Sequence, residues 1–137
     1  MPNEIAQVSF YIGTIPHKVG EGARILNALK DAGMNLVGFL GYPKSARIAE
    51  LVIVVDQKAP NLVPIARKAG LKLGKKQKAF LIGGEDRPGE MAALAAKLAA
   101  KGVNIVSVHG LCSAGRYAAL VVVAATDFRK AAKALAA

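Results

Sequence analysis

Cysteine is almost missing from the chain: Cys112 is the one thiol in 137 residues. A single thiol excludes an internal disulfide and fits a reducing, cytoplasmic setting. Histidine is nearly as scarce, with only His17 and His109. His109 and Cys112 are close in sequence, but two donors do not make a zinc site, so no metal and no cofactor is expected. Cys112 also lacks the base and orienting group that nucleophilic catalysis needs, and the nine carboxylates are mostly scattered. Gly20-Glu21-Gly22 offers two glycines without the third of a dinucleotide loop. No catalytic residue stands out, and the chain is read as a binder rather than an enzyme. Long apolar runs are missing too. Runs such as Leu51–Val55 and Ala118–Ala125 are far below the ~20 residues of a membrane span. Met1-Pro2-Asn3-Glu4 does not read as a secretory leader.

What is present is a chain able to build a core, 53% hydrophobic and 20% charged. Its net charge is +10. That charge serves solubility, or attraction to nucleic acid, a membrane surface or an acidic protein. It is not one block: Lys72, Lys75, Lys76 and Lys78 cluster mid-chain, and Arg129, Lys130 and Lys133 lie near the end.

The chain repeats itself. At an offset of 69 positions, 13 of the 35 residues from 20 to 54 find an identical partner without a gap. The pairs include Gly20/Gly89, Glu21/Glu90, Leu29/Leu98, Gly33/Gly102, Asn35/Asn104, Arg47/Arg116, Leu51/Leu120 and Val54/Val123. A repeat this long signals a duplicated domain rather than a solenoid unit.

Each copy reads as strand, helix, strand, strand, helix, strand. In copy one the strands are Ala6–Ile12, Met34–Leu40, Arg47–Val55 and Leu71–Leu73, with helices over Val19–Ala32 and Asn61–Lys68. A turn is expected at Gly41-Tyr42-Pro43. In copy two, Met91, Leu94, Ala95 and Leu98 line one helix face. Asp86 is a candidate cap and Pro88 suits a first helical position. Strands follow at Val103–His109 and Arg116–Ala124, joined around Ser113-Ala114-Gly115, and a helix runs over Phe128–Leu135. Gly33 and Gly102 stop the helices. The expected fold is α+β: two ferredoxin-like βαββαβ units, each an antiparallel sheet with helices on one face. The boundaries are 1–74 and 75–137, with the last strand of the second unit apparently missing.

Glu85-Asp86-Arg87-Pro88-Gly89-Glu90, a helix, then Gly102-Val103-Asn104-Ile105 resembles the ACT family signature. In that signature an acidic or amide residue with "RPG" opens the first helix, and "G-hydrophobic-N-I" opens the second strand. Copy one keeps Gly20, Glu21, Gly33 and Asn35 but has Pro16-His17-Lys18-Val19 where copy two has Glu85-Asp86-Arg87-Pro88. The resemblance spans most of both copies. It implies a regulatory module that binds amino acids between neighbouring domains and usually sits beside an enzyme or DNA-binding domain. The two copies use nearly the whole chain, which implies a free-standing sensor.

The ligand contacts this implies are Asp86, Pro88, Gly89, Asn104 and Ile105, with His17, Val19, Gly20, Asn35 and Leu36 as the copy-one set. A carboxylate suits the amides at a helix start, and an ammonium suits Asp86, Asn35 or Asn104. Each has a plainer role as well: Gly89 as a tight turn, Asp86 as a helix cap, the asparagines as turn residues. Two alternatives stand beside the sensor. One is a regulatory subunit docked on a metabolic enzyme. The other is an RNA-binding ferredoxin-like domain, which the aliphatic central strands and 5% aromatic content disfavour. No membrane partner is expected. Leu51–Val55 and Leu120–Ala125 do not alternate, so one sheet face needs a cover, and a homodimer is expected.

Overall fold

The computed structural model describes residues 3–136. The chain divides into two compact units, Val8–Gln77 and Lys78–Ala137 together with Met1–Gln7.

The unit Val8–Gln77 holds most of β1 (Glu4–Pro16), then α1 (Glu21–Asp31), β2 (Gly38–Pro43), β3 (Ile48–Asp56), α2 (Leu62–Lys68) and β4 (Lys72–Leu73). Its strands lie in the order β2-β3-β1-β4, all antiparallel. Alternate residues of β1 and β3 (Tyr11, Ile15, Leu51, Ile53 and Val55) face one core. Ile25 and Leu29 of α1 and Leu62 and Ala66 of α2 close it from the helix side. Pro64 sits in the first turn of α2, where its missing N–H would have had no helical partner. Asn61 caps that helix by accepting from the Val63 N–H at 3.1 Å.

The other unit holds β5 (Gln77–Glu85), α3 (Glu90–Ala100), β6 (Ile105–Ser113), β7 (Arg116–Val123) and α4 (Phe128–Ala136), with a 3-10 turn at Ala125–Asp127. Phe80 and Ile82 of β5, Tyr117, Ala119 and Val121 of β7, Leu94 and Leu98 of α3, and Ala131 and Leu135 of α4 form its core. The Phe80 and Phe128 rings stack at 4.4 Å.

Here the strand that copy two lacked is supplied from elsewhere. β7 and β6 lie on one side of β5, and the start of β1 neighbours it on the other. Residues up to Gln7 group with this unit, not with the one to which the sequence boundary at 74 assigned them. β1 is therefore longer than the expected Ala6–Ile12, running from Glu4 to Pro16. The place that β4 fills in the first unit is filled in the second by the beginning of the chain.

The helices match the repeat. α1 and α3 have 11 residues each, 69 positions apart. Both end in the same way. Gly33 (φ 76°) and Gly102 (φ 72°) are left-handed, and the N–H groups of Met34 and Val103 reach back to the carbonyls of Leu29 and Leu98.

Three expectations change. Strand β2 starts at Gly38, not Met34, because Met34 is spent on the helix stop and lies buried in the core. The expected turn at Gly41-Tyr42-Pro43 is the end of that strand; β2 is an edge strand, where proline costs no ladder bond. The apolar runs of β3 and β7 do not leave a bare face, since Leu51–Val55 and Leu120–Val123 are buried throughout. Apolar exposure falls instead on the edge strand β6, where Val106 is 65% and Leu111 79% exposed.

Candidate functional site

The connection from β5 to α3 is a built turn. The Glu90 N–H donates to the Arg87 carbonyl at 3.3 Å, and Gly89 between them has φ 86°, ψ 3°. Proline at the second position and a left-handed glycine at the third define a type II turn. Copy one makes the same turn with Lys18-Val19-Gly20-Glu21: the Glu21 N–H donates to Lys18 at 3.2 Å, and Gly20 has φ 89°, ψ −11°. The two glycines recur because the turn requires them.

This turn revises the expected caps. Gly89 and Gly20, not Asp86, are the N-caps, and neither helix has a side-chain cap. Pro88 lies in the turn before the helix rather than at its first position. The first-turn amides of α3 are therefore not taken by a capping side chain, and their dipole favours an anion.

Asp86 is held elsewhere. Its N–H donates to the Gly115 carbonyl at 3.0 Å, tying the loop to the β6–β7 turn. Its carboxylate pushes the exposed Cys112 thiol up from its ordinary range, with a smaller contribution from burial. Arg87 bridges Glu90 at 3.1 Å and Glu85 at 3.8 Å. In copy one the His17 N–H donates to the Arg47 carbonyl at 2.8 Å, and Glu21 pairs with Arg24. Arg24 also donates to the Ala69 carbonyl, joining α1 to the end of α2.

Asp86, Pro88 and Gly89 come together at the start of α3. Asn104 and Ile105 do not join them. They follow the helix stop at its other end, one 11-residue helix away, about 16 Å. The same separation divides His17, Val19 and Gly20 from Asn35 and Leu36 across α1. Asn104 and Asn35 are exposed, while Ile105 and Leu36 are half-buried against their cores.

Neither a protein-family model nor a curated protein matches the sequence. Solved structures do. Protein BT0572 of Bacteroides thetaiotaomicron is 16% identical with a TM-score of 0.78, over 96% of this chain and 88% of that one. The ligand-free regulatory subunit of aspartate kinase from Thermus thermophilus is 17% identical with a TM-score of 0.69, over 98% and 95%. Aspartate kinase of Clostridium acetobutylicum is 20% identical with a TM-score of 0.63, over 96% of this chain and 33% of the enzyme. These neighbours are ACT-domain folds, ferredoxin-like. The chain has the ACT-domain fold.

Within this ACT fold three neighbours of the loop carry chemistry that the sequence reading passed over. Cys112 engages Asp86. Glu90 opens α3. Tyr117, on β7, pairs across the sheet with Cys112 on β6 and Gly84 on β5. No linear motif marks Tyr117; only strand pairing brings it beneath the loop. The other aromatics are spent on the cores: of the seven, Tyr42 alone is exposed, and it donates to Glu50 at 2.7 Å. No row of exposed rings is available for base stacking. Among the described residues no helix is long and apolar enough to cross a membrane. Among them, too, no group of three or more His, Cys, Asp or Glu is placed to hold a metal.

Proposed function

We propose that the chain is a regulatory sensor that binds a small amino acid, or a related carboxylate metabolite, at ACT interfaces. The observation that carries this is the opening of α3: a rigid Arg87-Pro88-Gly89-Glu90 turn delivers helix amides that no side chain caps. Such amides suit a ligand carboxylate. Asp86 beside them offers an acceptor for an ammonium, and Pro88 and Gly89 let the ligand approach the backbone. Asn104 and Ile105 stand a helix length away, so they serve a ligand bound to the helix start of a second copy of the chain. The exposed edge strand β6, with Val106, Val108 and Leu111, supports such a homodimer. Copy one offers His17, Val19, Gly20, Asn35 and Leu36 in the same places.

A second reading draws on the likeness to the aspartate kinase regulatory subunit, which this chain matches over 95% of that subunit's length. In it the ACT chain docks on a metabolic enzyme and passes the ligand signal to it.

A thermal-shift screen against the proteinogenic amino acids tests the sensor. A ligand at about 100 times its dissociation constant adds ~2.7 kcal/mol of stability. No shift with any of them at millimolar concentration removes amino-acid sensing. Co-purification with a metabolic enzyme, rather than elution as a dimer of this chain, decides for the second reading.

A further inference from the structure

Tyr117 is 4% exposed, and its hydroxyl is a buried side-chain polar atom without a hydrogen-bond partner among the described residues. A buried phenol left unpaired is costly, so it needs an explanation. The ring has one. Tyr117 faces Gly84 across the β5–β7 pair, and a Cβ on Gly84 would come within 3.1 Å of the ring at Cε1. Glycine there makes room for the ring. Packing accounts for the six-membered ring but not for the oxygen, since phenylalanine would fill the same space.

The surroundings of that oxygen are electron-rich. Burial first, and then the Glu90 carboxylate, hold the phenol above its ordinary range. The Asn3 carboxamide lies against Gly84 and opposes the rise without completing a hydrogen bond. Glu90 is the first residue of α3, so the carboxylate that acts on the hydroxyl belongs to the helix opening at which no side chain caps the amides. Copy one has nothing similar: Ile48 stands at the position of Tyr117, and Pro43 at that of Cys112.

We infer that the Tyr117 hydroxyl is a ligand-binding group of the second unit, accepting a hydrogen bond from the ammonium of an amino acid whose carboxylate takes the amides of α3. This rests on the sensor reading and sharpens it: an α-amino acid is required, and Lys78–Ala137 carries the site that recognises it. The hydroxyl is closed to solvent in the free chain, so the ligand displaces the neighbouring Asn3 side chain to reach it. Binding then satisfies the one buried side-chain polar atom left unpaired among the described residues.

The test uses the full chain and the amino acid giving the largest thermal shift, beside its deamino analogue, which keeps the carboxylate and loses the ammonium. Calorimetric titration of wild type and Tyr117→Phe measures both. The free Tyr117→Phe protein should be at least as stable as wild type, because an unsatisfied oxygen is removed. Its dissociation constant for the amino acid should rise about tenfold, while that for the deamino analogue stays unchanged. Equal loss for both compounds, or no loss for either, overturns the role of Tyr117 and leaves the sensor standing. A wild type that binds no amino acid overturns the sensor and this inference together. Should Tyr117→Phe unfold, Glu90→Gln read in the same way replaces it: loss confined to the amino acid supports the electron-rich corner, and unchanged binding of both compounds refutes it.

Discussion

Gly20 and Gly89, 69 positions apart, hold the same left-handed backbone, φ 89° and 86°, and each begins an 11-residue helix by offering its carbonyl to the residue four further on, Arg24 or Ala93, at 2.9 Å. A Cβ at either glycine would meet nothing within 4 Å. The constraint is therefore the backbone alone.

Replacing either glycine by alanine tests that constraint. Gly89→Ala and Gly20→Ala should each cost about 1–2 kcal/mol, the strain of an L-residue at positive φ. Chemical denaturation reads it. An unchanged midpoint would mean that the turn relaxes into another form, and the case for a rigid helix opening would weaken.

The Cys112 thiol reports on Asp86. Its raised pKa leaves less thiolate near pH 8.5, so iodoacetamide should alkylate it more slowly than an unperturbed cysteine at about that pH. Asp86→Ala removes the main cause, returns the thiol toward its ordinary range and speeds the reaction. The rate-against-pH curve should move to lower pH in the variant. Coincident curves would show that the carboxylate does not hold the thiol.

The beginning of β1 completes a sheet far from it in sequence. Removing the residues before Val8 should strip β5 of the neighbour on that side and expose its edge. Hydrogen exchange should then show lost protection in β5 and β7, with β3 still protected, and the shortened chain should aggregate more readily. Full protection of β5 in the shortened chain would deny this role to the first strand.

Leu29 and Leu98 hold equivalent places in the two cores, 2% and 0% exposed. Each change to alanine should cost about 2–5 kcal/mol. The loss should be local. Leu29→Ala should weaken exchange protection in the unit Val8–Gln77, and Leu98→Ala in the unit containing Lys78–Ala137. If each substitution loosened both units equally, the two cores would form a single cooperative block.

Much of this was legible in the residues. The repeat at 69 positions set α1 and α3 at the same spacing and the same length. Apolar spacing placed α3, and glycines placed the ends of α1 and α3. The helix expected over Asn61–Lys68 is α2, Leu62–Lys68, with Asn61 as its cap rather than its first residue. The unbroken aliphatic runs marked β3 and β7. The repeat apart, these depend on neighbours within a few positions, where spacing alone fixes geometry. The tertiary structure decided what depends on distant partners. Met34 was claimed by the helix stop, because its N–H reaches Leu29 and its side chain the core, so β2 began four residues late. Asp86 looked like a cap by position, but a left-handed Gly89 took the cap and left Asp86 to Cys112, 26 positions further on. Asn104 and Gly89 belong to one signature in sequence yet stand at opposite ends of α3, since a helix keeps its ends apart. The missing last strand of the second copy came from Glu4–Gln7, seventy or more positions before β5, and strand pairing placed Tyr117 beside Gly84 and Cys112, which it does not adjoin in sequence. Local rules cannot reach these partners, because a sheet joins strands by hydrogen bonding across space and not along the chain.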